Sequence, residues 1–344
     1  MHIRTPDIGI DLGTSNTMVY VKDKGIVVNE PSLVLVEGAH RRQLHAVGDE
    51  AARTAGRTRD THIVIHPIRN GVIADFDMTA LMLRYFIRKA VGVSNVTRPR
   101  VVVSVPAGMD DINRKALAEA VRSCGVKAVY LMEKPLAAAV GSNLPAYDPV
   151  GTMVVDIGGG TTDVAVISLG GMVVSQSIPV GGQKMDAAIT NHIKREFKML
   201  IGDLTAENIK IDLGTAMPLA EPRSVRVRGR DLLAHTGPRG CREIVYTSQQ
   251  AYQAIQEPCK AIVHTIRWVL ERTPPELSAD ILRTGIHLTG GGAQLCAIDQ
   301  YIATELGIPV LLARDPADCA IQGLGHVVQN MQHYMTMGRM PPLG

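Results

Sequence analysis

One pattern occurs twice in this 344-residue chain: an apolar segment ends in an aspartate and runs directly into a glycine turn that carries hydroxyl side chains. The first copy, "IGIDLGTSNT", contains Asp11, and the second, "VVDIGGGTTD", contains Asp156 almost half a chain later. Short β-rich runs broken by turn residues follow both copies, which is typical of strands joined by tight turns. The repeat predicts two homologous halves that face each other.

The residue types of the first turn suit contact with a phosphate. Glycine lacks a Cβ, so backbone N–H groups can approach an anion closely, and flanking hydroxyls add further donors. The candidate ligands in this turn are Asp11, Gly13, Thr14, Ser15 and Asn16. Taken alone, a β-turn that needs polar residues only for its geometry explains the pattern equally well.

The second turn makes the phosphate interpretation much more specific. Its candidate ligands are Gly158, Gly159, Gly160 and Thr161. Two such loops at facing strand ends can hold a polyphosphate between them, while Asp11, Asp156 and Asp163 hold a hydrated Mg²⁺ through its waters. The repeat disfavours the alternative in which the aspartates of the second loop serve only to form turns.

A third glycine turn, Gly290, Gly291 and Gly292, follows the apolar segment "GIHL" and precedes a helical pattern. Backbone at such a turn can pass close to an adenine and its α-phosphate, although a tight strand-to-helix connection would look the same. The chain contains no GxxxxGK[ST], and neither glycine loop completes G-x-G-x-x-G. P-loop and dinucleotide-binding interpretations are therefore disfavoured.

Composition narrows the class of protein further. The 36 basic and 33 acidic residues are interspersed and leave a net charge of +3, so nothing indicates a nucleic-acid partner. Arg226, Arg228 and Arg230 recur with period two and predict a solvated strand face. Five widely spaced cysteines, no secretory signal and no apolar run of about 18 residues together predict a cytoplasmic protein.

The ordered motifs resemble those of a known superfamily. "DLGT", "DIGGGTTDVAVIS" and "TGGG" are similar to the phosphate-1, phosphate-2 and adenosine motifs of actin, Hsp70 and the sugar kinases. "DKGIVVNEPS", "RNGVIADFD", "PLAAAVGSNLP" and "TPPELSADI" resemble segments of the bacterial actin-like MreB family, and the similarity runs from Asp7 to about Val328.

The resemblance implies an actin-like α/β fold in which two domains, each built on a five-stranded sheet, enclose a cleft for ATP and Mg²⁺. It implies a domain I of residues 1–145, with a subdomain inserted at about 32–75 and a C-terminal helix at about 316–335 that completes it. Domain II would then span residues 146–315, with a subdomain inserted at about 183–245.

The resemblance also assigns roles to matching residues. Asp11, Gly13 and Thr14 match phosphate-1 contacts, Asp156 matches the principal carboxylate on the metal side, and Gly158 to Thr161 match the cradle of the β- and γ-phosphates. Glu207 and Lys210 match positions that approach the nucleoside. Without the family, an exposed salt bridge between these two residues, three apart on a helix, would be the default interpretation.

The chain departs from the family at one catalytic position. Family members generally read Glu-Glu-Pro where this chain has Glu133, Lys134 and Pro135, and the second Glu is expected to orient the water that attacks the γ-phosphate. Thr161, the other proposed water-positioning residue, is retained. We therefore expect ATP binding with slow hydrolysis; alternatively, Glu133 takes over the role or Lys134 points to solvent.

The function that the resemblance implies is ATP-regulated polymerisation into filaments that act in cell shape and organise cell-wall synthesis. The expected partners are the chain itself, with the helix around Ile112 to Val121 pairing protofilaments, and cell-wall elongation proteins at the membrane. The six residues before Asp7 are too few for an amphipathic helix, and Val93 and Val96 offer little apolar area. Intrinsic membrane binding should thus be weak, with filaments as the membrane-associated form.

Three other functions remain as alternatives. A hydrolysis-deficient paralogue would bind nucleotide as a scaffold without turning it over. An Hsp70-like chaperone would carry a substrate-binding domain after residue 344, which we do not expect, and a sugar kinase would need a carbohydrate pocket with a catalytic base. The sequence leaves open the choice between ATP and GTP and the architecture of the filament.

Overall fold

The structure is a computed structural model that describes residues 6–38, 43–54, 62–92, 98–233 and 240–336. In its first half, strands and helices alternate after an initial run of strands. These elements are β1 (Ile8–Leu12), β2 (Asn16–Val21), β3 (Gly25–Pro31), β4 (Val34–Glu37), β5 (Gln43–Val47), α1 (Asp49–Thr54), β6 (His62–Ile65), β7 (Ile68–Arg69), β8 (Val72–Ile73), α2 (Phe76–Val91), β9 (Arg100–Val105), α3 (Asp111–Arg122), β10 (Ala128–Glu133) and α4 (Lys134–Gly141).

The second half begins with another run of strands. Its elements are β11 (Thr152–Ile157), β12 (Thr162–Ser168), β13 (Gly171–Ile178), α5 (Gly182–Phe197), β14 (Met199–Leu200), α6 (Asp203–Leu213), β15 (Ser224–Asp231), β16 (Cys241–Thr247), α7 (Ser248–Arg272), α8 (Pro275–Thr284), β17 (Ile286–Thr289), α9 (Ile298–Leu306), β18 (Val310–Leu312), α10 (Cys319–Gln329) and α11 (Met331–Thr336), with 3₁₀ turns at Gly291–Gln294 and Pro316–Asp318.

The two predicted five-stranded sheets are present and share one topology. The first has the order β10-β9-β1-β2-β3 and the second the order β13-β12-β11-β17-β18, so β11 in the second corresponds to β1 in the first. In each sheet the central strand pairs antiparallel with the strand that follows it and parallel with a strand reached through helices. This correspondence confirms the repeat, because short turns give antiparallel pairs and helical crossovers give parallel ones.

Two smaller sheets fall in the regions predicted as inserted subdomains, although β16 ends at Thr247, just past the predicted limit of about 245. One has the order β5-β4-β6 and the other the order β14-β15-β16. In β15 the arginines at 226, 228 and 230 are exposed, and both Arg226 and Arg228 pair with Glu243 on β16, which agrees with a solvated strand face. The boundaries proposed for the two domains stay a prediction.

Two helices pack between the large sheets at very short range. A Cβ added to Gly141 of α4 would lie 1.9 Å from the Cys319 carbonyl oxygen, and one added to Gly323 of α10 would lie 1.8 Å from that of Ala137. α10 also packs against β1 and β2. The predicted C-terminal helix is interrupted at Asn330, whose N–H donates to the carbonyls of His326 and Val327 and ends α10.

Several sequence predictions about membranes concern residues outside the described ranges. Residues 1–5, Val93 and Val96 fall there, so the expected weak membrane binding stays a prediction. Arg100, near the second of these segments, donates from Nε to the Asp7 carboxylate at 2.7 Å. Within the described ranges, no helix combines the length and the apolar character that crossing a membrane requires.

Candidate functional site

The first glycine loop joins β1 to β2 and is held by hydrogen bonds of its own. The N–H of Gly13 donates to the carbonyl of Asn16 at 3.0 Å, and a Cβ at Gly13 would lie 2.6 Å from that oxygen, so the turn requires glycine. Thr14 is buried, and its hydroxyl accepts from the N–H of Gly71 at 3.0 Å. The Asn16 side chain is exposed and serves the turn through its backbone.

Sequence reasoning missed the residue that fixes this loop from below. Ser32 is fully buried; its hydroxyl donates to the Gly13 carbonyl at 2.7 Å, and its N–H donates to the Ser15 carbonyl at 2.8 Å. Thr17 shares a third hydrogen bond with the same hydroxyl at 2.8 Å. Ser32 closes the segment "DKGIVVNEPS", whose resemblance to the family was the available signal.

The second loop, between β11 and β12, packs directly against the first. A Cβ on Gly159 would lie 2.0 Å from Ser15 Oγ, and one on Gly160 would lie 2.4 Å from Thr14 Oγ1. Within the loop, the N–H of Gly158 donates to the Thr161 carbonyl at 2.8 Å. Side chains at these glycines are therefore excluded by the opposite loop, and the two sheets meet here.

The three predicted carboxylates converge beneath the loops. Asp11, Asp156 and Asp163 are each less than a tenth exposed. Asp11 accepts from Ser104 Oγ at 2.5 Å, and Asp163 accepts from the N–H of Ala107 at 2.9 Å. These contacts join the ends of β1 and β9 in the first sheet to β12 in the second.

The fourth member of this cluster is a cation. Lys134 Nζ lies 3.3 Å from Asp156 Oδ1 and 3.8 Å from Asp11 Oδ2, and its side chain is only 16% exposed. The alternative in which Lys134 points to solvent is therefore wrong. Asp156 Oδ2 accepts from Thr289 Oγ1 at 3.1 Å, but Oδ1 is buried and has no hydrogen-bond partner among the described residues.

Burial and the nearest opposite charge shift the pKa values of Lys134 and Asp163 in opposite directions. Burial lowers the pKa of Lys134, but Asp11 and Asp156 attract its ammonium and hold the pKa above its ordinary value. Burial raises the pKa of Asp163 to about 6, with Asp156 adding to the rise and Lys134 opposing it. Lys134 thus remains charged and neutralises part of a crowded acidic cluster.

The neighbouring Glu133 is held by another partner. Its carboxylate accepts from Arg114 Nη2 of α3 at 2.6 Å, while Arg114 Nε donates to the Met109 carbonyl. Thr161 is buried, and its hydroxyl donates to Asp163 Oδ2 at 3.2 Å. Of the residues predicted to position water, Thr161 therefore contacts the acidic cluster, whereas Glu133 is engaged by an arginine.

Lys210 is linked to the second loop through Gly182. Its Nζ pairs with Asp186 of α5 at 2.9 Å and lies 3.4 Å from the Gly182 carbonyl, and the N–H of Gly182 donates to the Gly158 carbonyl. Burial raises the pKa of Asp186, Lys210 opposes that rise, and Glu207 adds to it. Lys210 thus pairs with Asp186, and the exposed Glu207 lies near the same carboxylate.

The third glycine turn lies against the end of β11. Gly290 has φ +85°, and its Cβ would lie 2.4 Å from the Ile157 carbonyl oxygen, while a Cβ on Gly292 would lie 2.5 Å from the Ile157 side chain. The turn continues as the 3₁₀ helix at 291–294, not directly as an α-helix. It follows Thr289, so it begins beside the carboxylate of Asp156.

Comparison with known proteins agrees with this arrangement. The MreB/Mbl protein family model matches residues 5–336. The chain belongs to the MreB/Mbl family. It is 47% identical over 325 residues to the cell shape-determining protein Mbl of Bacillus subtilis, covering 94% of this chain and 96% of that one. It is 45% identical over 327 residues to the cell shape-determining protein MreB of Escherichia coli, covering 94% and 93%.

A solved structure confirms the actin-like fold expected from the sequence. The crystal structure of MreB 5 of Spiroplasma citri bound to AMPPNP superposes with a TM-score of 0.90 and 33% identity, covering 98% of this chain and all of that one. That protein was crystallised with an adenine nucleotide analogue.

Proposed function

We propose that this chain binds ATP at the junction of its two glycine loops and polymerises into filaments that determine cell shape and organise cell-wall synthesis. The observation that carries the proposal is the convergence of two topologically equivalent loops on one buried carboxylate cluster. The relatives named cell shape-determining proteins support the cellular role, and the AMPPNP-bound relative supports an adenine nucleotide.

The residues at the loops suit a polyphosphate. Gly13 and Gly158 to Gly160 carry no side chains, so their backbone can approach phosphate oxygens, and the hydroxyls of Thr14 and Thr161 lie at the same junction. Lys210 and Glu207 on α6 would approach the nucleoside, as would Gly290 to Gly292, which adjoin the end of β11. A nucleotide held in this way would connect the two halves of the molecule.

The acidic cluster also fits Mg²⁺, which prefers carboxylate oxygens and keeps several waters. Asp11, Asp156 and Asp163 would hold the hydrated ion, and the buried Oδ1 of Asp156, which has no hydrogen bond in the described part of the chain and faces Lys134 at ion-pair distance, would be one of its acceptors. When bound, Mg²⁺ would neutralise charge on the phosphates. Lys134 would then have to withdraw, because its ammonium lies against the same oxygens.

Lys134 favours slow hydrolysis and, as a second candidate function, a scaffold that binds nucleotide without turning it over. An ammonium attracts a triphosphate but has no lone pair with which to accept a proton from water. Thr161 remains as the residue that would position the attacking water, and Glu133 is held by Arg114. Filaments of this chain would therefore persist in the ATP state.

Two helices carry exposed apolar side chains that suit filament contacts. Ile112 at the start of α3 is 81% exposed, and Leu204 and Ile211 of α6 are each 70% exposed. Burial of such side chains between subunits would favour assembly. We propose that α3 pairs protofilaments and that nucleotide promotes assembly by stabilising the closed arrangement of the two halves. The filaments would lie in the cytoplasm and reach the membrane through cell-wall elongation proteins.

The deciding experiment measures ATP turnover and sedimentation on the same preparation. We expect nucleotide-dependent pelleting and filaments in electron micrographs, with phosphate release that is slow compared with assembly. Pelleting without any turnover would favour the scaffold. A protein that remains monomeric with ATP at every concentration tested would contradict the filament proposal, whereas failure to bind nucleotide at all would contradict the site.

A further inference from the structure

Lys134 lies where the carboxylates need a cation. Its Nζ lies 3.3 Å from Asp156 Oδ1 and 3.8 Å from Asp11 Oδ2. The Lys134 side chain is 16% exposed, and both carboxylates are less than a tenth exposed. Carboxylates that share a dry site repel one another strongly unless a positive charge is placed among them. The chain supplies that charge itself, from the first residue of α4.

The position of Lys134 is fixed by its surroundings. β10 pairs with β9 up to Glu133, and α4 begins at the next residue, so the backbone of Lys134 is held between a sheet and a helix. The Glu133 side chain is directed to Arg114, which leaves Lys134 as the group from this turn that reaches the aspartates. A Cβ on Gly158 would lie 3.7 Å from Nζ, so the ammonium also adjoins the second glycine loop.

We infer that Lys134 is a tethered counter-ion that replaces most of the role of a divalent cation, so nucleotide binding by this chain depends only weakly on Mg²⁺. This inference rests on the proposed nucleotide site. In the absence of Mg²⁺ the ammonium would neutralise Asp11 and Asp156 and attract the phosphates. When Mg²⁺ is present, it must compete with Lys134 for the same oxygens, which weakens its hold.

The test measures the affinity for AMPPNP by calorimetry in excess EDTA and in excess Mg²⁺, for the natural chain, Lys134→Gln and Lys194→Gln. Lys194 is an exposed lysine near the end of α5 and serves as the matched control. We expect the affinity of the natural chain and of the control to fall less than about 10-fold on removal of Mg²⁺. The affinity of Lys134→Gln should fall about 100-fold or more, because its carboxylates then face the phosphates without a cation; at 1.4 kcal/mol per factor of ten this is about 2.8 kcal/mol.

The outcomes separate the inference from the function on which it rests. Equal loss in EDTA for the natural chain and Lys134→Gln would overturn the tethered counter-ion but leave the nucleotide site intact. No binding in either buffer would overturn the nucleotide site itself. If Lys134→Gln does not fold, the natural chain alone decides: retained affinity in EDTA supports the inference, and its collapse refutes it.

A different observation carries a second inference, at the small sheet β5-β4-β6. Glu37 on β4, His45 on β5 and His62 on β6 each present a ligand atom, and these atoms all lie within 4.8 Å of one another. The rings of His45 and His62 are edge-to-face with centroids 4.8 Å apart. Imidazole nitrogens and a carboxylate oxygen are the ligands of many zinc sites.

The register explains how three strands bring these groups to one face. Glu37 lies directly opposite His62 in the ladder between β4 and β6. On the other side of β4 the register shifts between Leu35 and Val36, which places an extra residue, His45, between the partners of those two. Gln43 lies opposite Glu37 in the same ladder, so His45, two residues further along β5, lies on the face of Glu37 and His62.

We propose that Glu37, His45 and His62 bind a borderline transition-metal ion such as Zn²⁺. Ligands on one zinc lie about 3–4 Å apart when each bond is about 2.0–2.2 Å long. The present separations therefore need only small rotations of two exposed side chains and one half-buried one. An ion there would cross-link the three strands of this sheet.

The test titrates Co²⁺ into the full chain, because its visible spectrum distinguishes nitrogen and oxygen ligands from thiolates. This matters because Cys241 and Cys296 are exposed. We expect His45→Ala and His62→Ala each to weaken binding by about 10-fold or more. His264→Ala, an exposed histidine of α7, should bind like the natural chain. A thiolate spectrum, or unchanged binding in the two cluster variants, would refute the site.

Discussion

The two glycine loops occupy equivalent places in equivalent sheets, yet they are held differently. The first loop is fastened from below by neutral hydrogen bonds, chiefly those of Ser32 to Gly13 and Ser15. The second consists of three glycines packed against the first loop, above Asp156, whose buried Oδ1 contacts only an ammonium at ion-pair distance within the described chain. The second loop is also held by neutral hydrogen bonds, from the N–H groups of Gly182 and Gln183 to the carbonyls of Gly158 and Gly159, so the loops differ chiefly in the buried charge beside the second, where a change of bound ion should act.

The largest expected effect tests the charge at the second loop. Lys134→Glu should accelerate single-turnover ATP hydrolysis by about 10²–10³-fold at saturating Mg²⁺, because it restores a carboxylate that can orient water. Affinity for ATP under those conditions should change much less. Lys194→Glu makes the same change of charge at an exposed position near the end of α5 and should leave the rate unchanged. Equal rates in all three proteins would mean that another group already positions the water.

The next effect tests the contact between the loops. Gly160→Ala should lower the free energy of unfolding of the nucleotide-free protein by about 3 kcal/mol, at the upper end of overpacking costs. Its Cβ would lie within 2.7 Å of three atoms of Thr14, a stiff side chain held by Gly71. Gly291→Ala is the control, since no described atom lies within 4 Å of a Cβ there. Urea unfolding that gives equal losses would contradict the contact.

The sequence predicted the shared pattern of the loops but not the difference between them. A repeated Asp followed by glycines is local, and it predicted both turns and the carboxylate cluster, whereas the two five-stranded sheets were implied by the resemblance to the actin-like family. Ser32 and Ser104 support the first loop from distant strands, so only pairing along the sheet brings them there. Lys134 was identified from its position in a motif, but its ion pairs depend on how closely the halves approach.

A smaller effect is expected from pH. The pKa of Asp163 is about 6 in the folded chain and 3.8 without the fold, so between those values the folded state binds more protons than the unfolded state. Stability should therefore fall as pH rises through this window, by about 2–3 kcal/mol at 1.36 kcal/mol per unit. Asp163→Asn removes that dependence, so its stability relative to the natural chain should rise from pH 4 to pH 6.5. A constant difference would contradict the raised pKa.

The smallest effect tests the hydrogen bonds that hold the first glycine loop. Ser32→Ala removes a buried hydroxyl that donates to the Gly13 carbonyl and shares a hydrogen bond with Thr17, and such a loss costs about 1 kcal/mol. The hydrogen bond from the Ser32 N–H to the Ser15 carbonyl is unaffected by this change, so the first loop should keep its conformation. Urea unfolding should therefore show only a modest shift in midpoint. Ser224→Ala, at an exposed position of β15, should show almost none. If the two variants unfold alike, the hydroxyl does not hold the first loop, and Ser32 is not what distinguishes the first loop from the second.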